Sequence, residues 1–148
     1  MKQQNHVDIQ ATPATVFAIL TDGKRLAEWV EGVIENEELE MVEGITGSTF
    51  RQVYEESGRK MEFQGVVTAY ELDRAMAIHM VGSCFDLDVG YRLEALEDDR
   101  GTRLIQDAVV HYKGLWKVLG FLMAPFMKKS GAKRLAEDFG RLKRLCEA

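Results

Sequence analysis

Over much of the chain the apolar residues recur at every second position, the period of a strand with one buried face. Phe85, Leu87, Val89, Tyr91 and Leu93 form the clearest stripe, backed by Asp86, Asp88, Gly90, Arg92 and Glu94. His6 to Gln10 alternates in the same way about Val7 and Ile9. Further strands are predicted over Val33 to Glu43 (weakly alternating), Ser48 to Ser57, Lys60 to Leu72, Ala75 to Val81 and Thr102 to Tyr112. Turn chemistry separates them at Gly44 to Gly47, Ser57-Gly58, Asp73-Arg74 and Asp98 to Gly101. Strands joined by connections this short must pair antiparallel, because parallel pairs need long crossovers.

Two stretches break the pattern. After the first strand, Thr12-Pro13-Ala14 supplies a cap and a first-turn proline, and Val16, Phe17 and Leu20 follow at helical spacing. Thr21-Asp22-Gly23 ends that helix, and a second short one over Lys24 to Val30 presents Leu26, Trp29 and Val30. Leu115 to Glu147 is helical in composition, with a break or kink predicted at Pro125 and a weak point at Ser130-Gly131. Leu135, Phe139, Leu142 and Cys146 form its apolar stripe; Lys133, Arg134, Glu137, Arg141, Lys143 and Arg144 are assigned to the other face.

The order is therefore strand, two short helices, about six strands and one long helix, an α+β arrangement in a single domain over residues 1–148. A sheet of about seven strands, several of ten residues or more, curls through its natural twist. The long helix packs into its concave side, and sheet and helix together hold open more volume than their side chains fill.

Composition adds limits. The 148 residues carry 46% apolar and 29% charged side chains, ordinary for a globular chain. The net charge of −5 divides unevenly, −11 over residues 1–112 and +6 over 113–148. An acidic body disfavours nucleic acid, whose binding rests on phosphate neutralisation. Cys84 and Cys146 have no metal or redox spacing and read as reduced thiols. With no apolar signal segment in MKQQNHVDIQ, the expected location is the cytoplasm.

The chain resembles the SRPBCC superfamily, also called START-like or helix-grip proteins, and within it the polyketide cyclase/dehydrase group. The resemblance rests on the order of several short pieces. These are Val7-x-Ile9, Thr12-Pro13-x-x-Val16-Phe17, Leu20-Thr21-Asp22 with Trp29 beyond, Gly47-x-x-Phe50, Gly65-Val66-Val67-x-x-Tyr70, Gly101-Thr102-x-Leu104 and a closing Leu142-Lys143 helix. It spans essentially the whole chain. It implies a deep hydrophobic pocket between sheet and C-terminal helix, with the short helices near its mouth, and either ligand binding or chemistry within it.

Catalytic signatures are sparse. No nucleophile elbow, P-loop or dinucleotide fingerprint occurs, and Gly44-Ile45-Thr46-Gly47 reads as a turn. His6, His79 and His111 lie on separate predicted strands, so neither a metal nor a cofactor is expected. Asp86 and Asp88 read as outward, solvated carboxylates. His79 sits on a strand apolar on both faces and becomes the acid–base candidate if it points inward.

Trp29, Phe50, Phe63 and Phe85 are candidate pocket walls, and Tyr91, Gln106 and Tyr112 are polar groups on inward stripes. The segment Leu115 to Met127 is apolar on nearly every side, with Phe121 and Met123 as further ligand candidates. Three readings of it stay open: a lid over the pocket, then a homodimer surface, and last a helix whose basic sequel Lys128-Lys129 meets anionic lipid. The functional expectation is the binding or carriage of a small hydrophobic or amphipathic ligand. Its alternatives are a polyketide cyclase/dehydratase-type enzyme in the same cavity and an interaction module through residues 115–134.

Overall fold

The computed structural model describes residues 2–56, 58–96 and 100–148, with the backbone alone for 120–131. Seven strands form one sheet: β1 (Lys2–Ile9), β2 (Val33–Glu40), β3 (Thr49–Glu56), β4 (Arg59–Glu71), β5 (Ala75–Val81), β6 (Phe85–Ala95) and β7 (Thr102–Tyr112). Their spatial order is β1-β7-β6-β5-β4-β3-β2, with every neighbouring pair antiparallel. Hairpins therefore build the sheet from β2 to β7, and β1 closes on β7 as the outer strand. The first strand is longer than its alternation predicts. The polar residues before His6 join the ladder from Lys2↔Val109 onward, held by backbone pairing rather than burial.

Bulges bend the sheet. The register shifts between Val67 and Ala69 on β4, and at two places on the edge strand β2. Each shift adds local twist and curvature. The connection from β4 to β5 turns on Asp73, whose φ of 61° is left-handed, a conformation to which aspartate is suited.

Two short helices follow β1. Helix α1 (Pro13–Leu20) is capped by the Thr12 hydroxyl, which accepts from the Thr15 N–H at 3.3 Å, with Pro13 in its first turn. A turn of 3-10 helix over Gly23–Arg25, capped by Asp22, leads into α2 (Leu26–Trp29). The last element, α3, runs from Trp116 to Glu147 as one helix. The predicted break at Pro125 does not occur. Proline deletes a single ladder hydrogen bond, a loss of about 3 kcal/mol that a helix of this length packed at its C-terminal end absorbs.

Polar ties hold that end down. Lys143 Nζ donates to the Asp8 carbonyl at 2.7 Å and Glu147 accepts from the Gln10 N–H at 2.7 Å. Arg141 Nε donates to the Trp29 carbonyl at 3.0 Å. Beneath them Ile9, Val16, Leu20, Trp29, Leu104, Phe139, Leu142 and Cys146 form one buried cluster, built from β1, β7, α1, α2 and α3. The solid core thus lies at one end of the molecule. The concave faces of β3 to β6, which adjoin it, line a cavity.

Candidate functional site

Side chains alternate across each strand, so register decides which of them line the cavity. From β6, Phe85, Leu87, Val89 and Tyr91 face inward; from β5, Met76, Ile78 and Met80; from β4, Met61, Phe63, Val67 and Tyr70. Phe50, Gln52 and Tyr54 contribute from β3 and Gln106 from β7. Leu20, Leu26, Trp29 and Val30 close one side from the short helices, and Arg134, Leu135 and Asp138 of α3 close another. The space they border is about 500 Å³ and is partly open to solvent.

Its walls are aromatic and thioether-rich. Phe63 and Phe85 meet with ring centroids 5.5 Å apart, and Tyr70 packs on Phe17 at the same distance. The tip of the Phe50 ring covers Gly65, its cross-strand partner: a β-carbon at Gly65 would sit 2.1 Å from Cζ. Only a residue without a side chain leaves that aromatic its place.

Polar groups gather in two places. Tyr91 is surrounded by protein, yet it keeps accessible surface, because that surface looks into the cavity. Its hydroxyl accepts from Gln106 Nε2 at 3.0 Å, and burial pushes the phenol up to about 12. Asp138 is buried nearby, accepting from the Glu31 N–H at 3.2 Å and from Arg141 Nη2. Burial raises its carboxyl above the usual range, against the pull of the Glu31 N–H and the Arg141 guanidinium. At the second place Arg134 donates to the Tyr54 hydroxyl at 3.4 Å and pairs with Glu56, whose carboxyl it holds below the ordinary range.

Trp29, Phe50, Phe63, Phe85, Tyr91 and Gln106 are brought together around this one space. Tyr112 is not part of the lining. Its ring lies 6.0 Å from that of Phe85. Phe121 and Met123 fall in the part of α3 whose side chains lie outside the described residues. The start of that segment does not line the cavity: Leu115 is 83% and Val118 61% exposed, with Trp116 and Leu119 also at the surface. The lid reading gains nothing from residues 115–119.

His79 points the other way. Because Ile78 and Met80 face the cavity, His79 between them is on the convex face, where Nδ1 lies 2.6 Å from Asp88 Oδ1. His111 Nε2 lies 2.9 Å from the other oxygen of the same carboxylate, and these two contacts lower the Asp88 pKa. Asp86 and Asp88 face outward as expected, but they are paired rather than merely solvated; Asp86 is held by Lys113 at 2.7 Å. Among the described residues no group of three or more His, Cys, Asp or Glu side chains suits a metal ion.

Sequence reasoning missed Arg134 and Asp138. The helical pattern assigns Arg134 and Arg141 to the face opposite the apolar stripe, whereas Arg134 lines the cavity and Arg141 ties α3 to Trp29. The available signal was Asp138, which stands three residues after Leu135 and four before Leu142, at the margin of the apolar stripe. A carboxylate there needs partners at helical spacing, and Arg134 and Arg141 are the cations within reach.

Residues 2–147 match the family model described as polyketide cyclase / dehydrase and lipid transport. No curated protein matches the chain. The fold is shared with TTHA0849 of Thermus thermophilus, at a TM-score of 0.81 and 14% identity over 99% of this chain and 97% of that one. A START superfamily protein from Mycobacterium smegmatis superposes at 0.77 with 18% identity, covering 97% and 98% of the two chains. The Zhui aromatase/cyclase from Streptomyces superposes at 0.76 with 15% identity, covering 99% and 93%. At these identities the structures show a common architecture, the helix-grip α+β fold. Among the described residues no helix is long and apolar enough to cross a membrane.

Proposed function

The chain belongs to the polyketide cyclase / dehydrase and lipid transport family, and from that premise we propose that it binds and carries a small amphipathic ligand inside the sheet–helix cavity. The observation that supports this most is the cavity itself. Its volume of about 500 Å³ and its aromatic and thioether walls fall in the range of small-molecule sites, roughly 300–1,000 Å³. Burial of apolar ligand surface, at about 25 cal/mol per Å², supplies the driving force. The same space suits ring-closing chemistry, but carriage is the better reading. His79 stands outside, a phenol as strongly raised as Tyr91 is not a base at neutral pH, and the lining carboxylate Asp138 is already engaged by the Glu31 N–H and Arg141.

Filling the cavity tests the proposal. Ile78 lines the cavity from the middle of β5, so Ile78→Trp places an indole in that space. Affinity for an apolar fluorescent probe is expected to fall by about ten-fold or more, while the thermal midpoint stays within a few degrees. Unchanged probe affinity in a folded Ile78→Trp protein would overturn the reading.

The exposed apolar start of α3 supports a second reading, in which this surface pairs with another copy of the chain. Leu115 and Val118 stand more than half exposed there, with Leu119 close to half. Light scattering is expected to show a dimer that Leu115→Lys with Val118→Lys converts to monomer. A monomeric wild-type protein would remove self-association and leave salt-sensitive liposome binding through the basic sequel as the role to measure.

A further inference from the structure

We propose that the cavity selects a neutral ligand whose accepting oxygen seats against Tyr91 and Gln106, and that it rejects anionic amphiphiles of the same shape. This rests on the ligand-carrying reading above and narrows it to a chemical class.

Hydrogen-bond arithmetic gives the first half. The Tyr91 hydroxyl accepts from the Gln106 amide, so its own proton remains to be donated, and no described residue accepts it. Reversing the amide would turn the Tyr91 proton onto Gln106 and free both amide hydrogens instead. Either way the pair keeps a donor at the cavity wall. Trp29, 2% exposed and also part of the lining, has an indole Nε1–H with no partner among the described residues. Tyr91 packs against the buried cluster that contains Trp29, so the unspent donors belong to one region. The phenol stays protonated at neutral pH, as burial demands. Buried donors without acceptors are costly, and a ligand carbonyl or ether oxygen removes that cost.

Charge gives the second half. The charged side chains among the described lining residues are Glu38, Glu56 and Asp138 against Arg134 alone. Arg134 is already committed to Glu56 and Tyr54. A carboxylate, sulfonate or phosphate entering the space would lose its water and find no uncommitted cation on the described wall, since Arg134 is held by Glu56 and the Arg141 beside Asp138 is held by that carboxylate. A ketone or ester of equal size avoids the charge penalty and still satisfies the donors. Free fatty acids and phosphate-bearing lipids are therefore disfavoured guests; aromatic or alicyclic ketones, esters and lactones are favoured.

The test uses the environment-sensitive ketone 6-propionyl-2-(dimethylamino)naphthalene as reporter, displaced at pH 7.5 by 2-acetonaphthone or by 2-naphthoate. The two competitors share their ring system and differ in charge. The ketone is expected to displace the reporter at a concentration about ten-fold or more below that of the carboxylate. Tyr91→Phe combined with Gln106→Leu, which removes both donors of the pair, is expected to shift the bound reporter's emission to shorter wavelength as its carbonyl loses its donors. Equal potency of the two competitors, or an unmoved emission maximum in that double variant, overturns the selectivity while leaving the cavity reading intact. If Ile78→Trp binds the reporter as tightly as the wild type, the cavity is not where it sits, and both readings fail.

Discussion

Replacing Leu142 by alanine is expected to cost about 4 kcal/mol of stability, whereas the same truncation at Leu87 costs nearer 2. Leu-to-Ala losses in cores run from about 2 to 5 kcal/mol, and the spread follows how much packed surface is lost and how far the site can collapse. Leu142 has no exposed surface and lies in the cluster with Ile9, Val16, Leu20 and Leu104. It is also the point where α3 meets the rest of the molecule. Shortening it opens a void that the Lys143 and Arg141 ties, which fix the helix in place, prevent from closing.

Leu87 lies on the cavity wall, where one side of the side chain already has no atoms to touch. Contacts absent from the folded state cannot be lost on truncation. Urea denaturation of both variants, with a shared m-value, gives the comparison. A Leu87→Ala protein as damaged as Leu142→Ala would mean that the β3–β6 face is packed shut in solution. The proposed ligand space would then not exist. Read together, the two substitutions separate the part of the protein that keeps it folded from the part that it holds open.

That separation was only half visible in the sequence. Period-two alternation along Phe85 to Leu93 placed Tyr91 inside and Asp88 outside without any knowledge of the partner strands, and the structure agrees. The helix start at Thr12-Pro13 and the order of the elements were equally plain, because capping and turn chemistry are local. His79 was not legible, since Ala75 to Val81 is apolar on both faces and its orientation is set by pairing. Once His79 is opposite Asp88, an outward residue, it must face outward too. Register between strands is the quantity that a single strand's pattern does not contain.

The helix wall failed for a different reason. A stripe of Leu135, Phe139, Leu142 and Cys146 identifies the buried line but not its width, and Arg134, Asp138 and Arg141 occupy its margins. There a long side chain buries its stem while its charge finds a partner. Tyr112 shows the reverse case: on the inward stripe and 6.0 Å from the Phe85 ring, yet not among the lining residues. Which member of a stripe touches a ligand depends on the curvature of the sheet, and that emerges only from the bulges and the assembled twist.

Asp138→Ala is expected to be the most damaging change to a polar side chain, at about 3 kcal/mol. The carboxylate is 6% exposed, accepts the Glu31 N–H just past α2, and pairs with Arg141, which itself holds the Trp29 carbonyl. Removing it leaves a part-buried N–H without an acceptor and a guanidinium without its counter-charge. Breaking buried pairs in this way typically costs about 3–5 kcal/mol. Arg141 keeps nearly a third of its side chain exposed and water recovers part of the loss, so the lower end applies.

Asp138→Asn discriminates between the causes. The amide still accepts from Glu31 but carries no charge, so the loss is expected to be smaller than for alanine. Its pH dependence follows from the raised folded-state pKa. The stabilisation such a group contributes is complete below the unfolded carboxyl value and is lost as pH rises through the folded value. Wild-type stability relative to Asp138→Asn should therefore decline as pH rises through that window, narrowing the gap between them. Denaturation curves for both proteins at a series of pH values from about 4 upward measure it. A gap that widens instead would show that the Arg141 pairing outweighs burial. Asp138 would then face the cavity as a firmly ionised group, and the exclusion of anionic ligands would be stronger still.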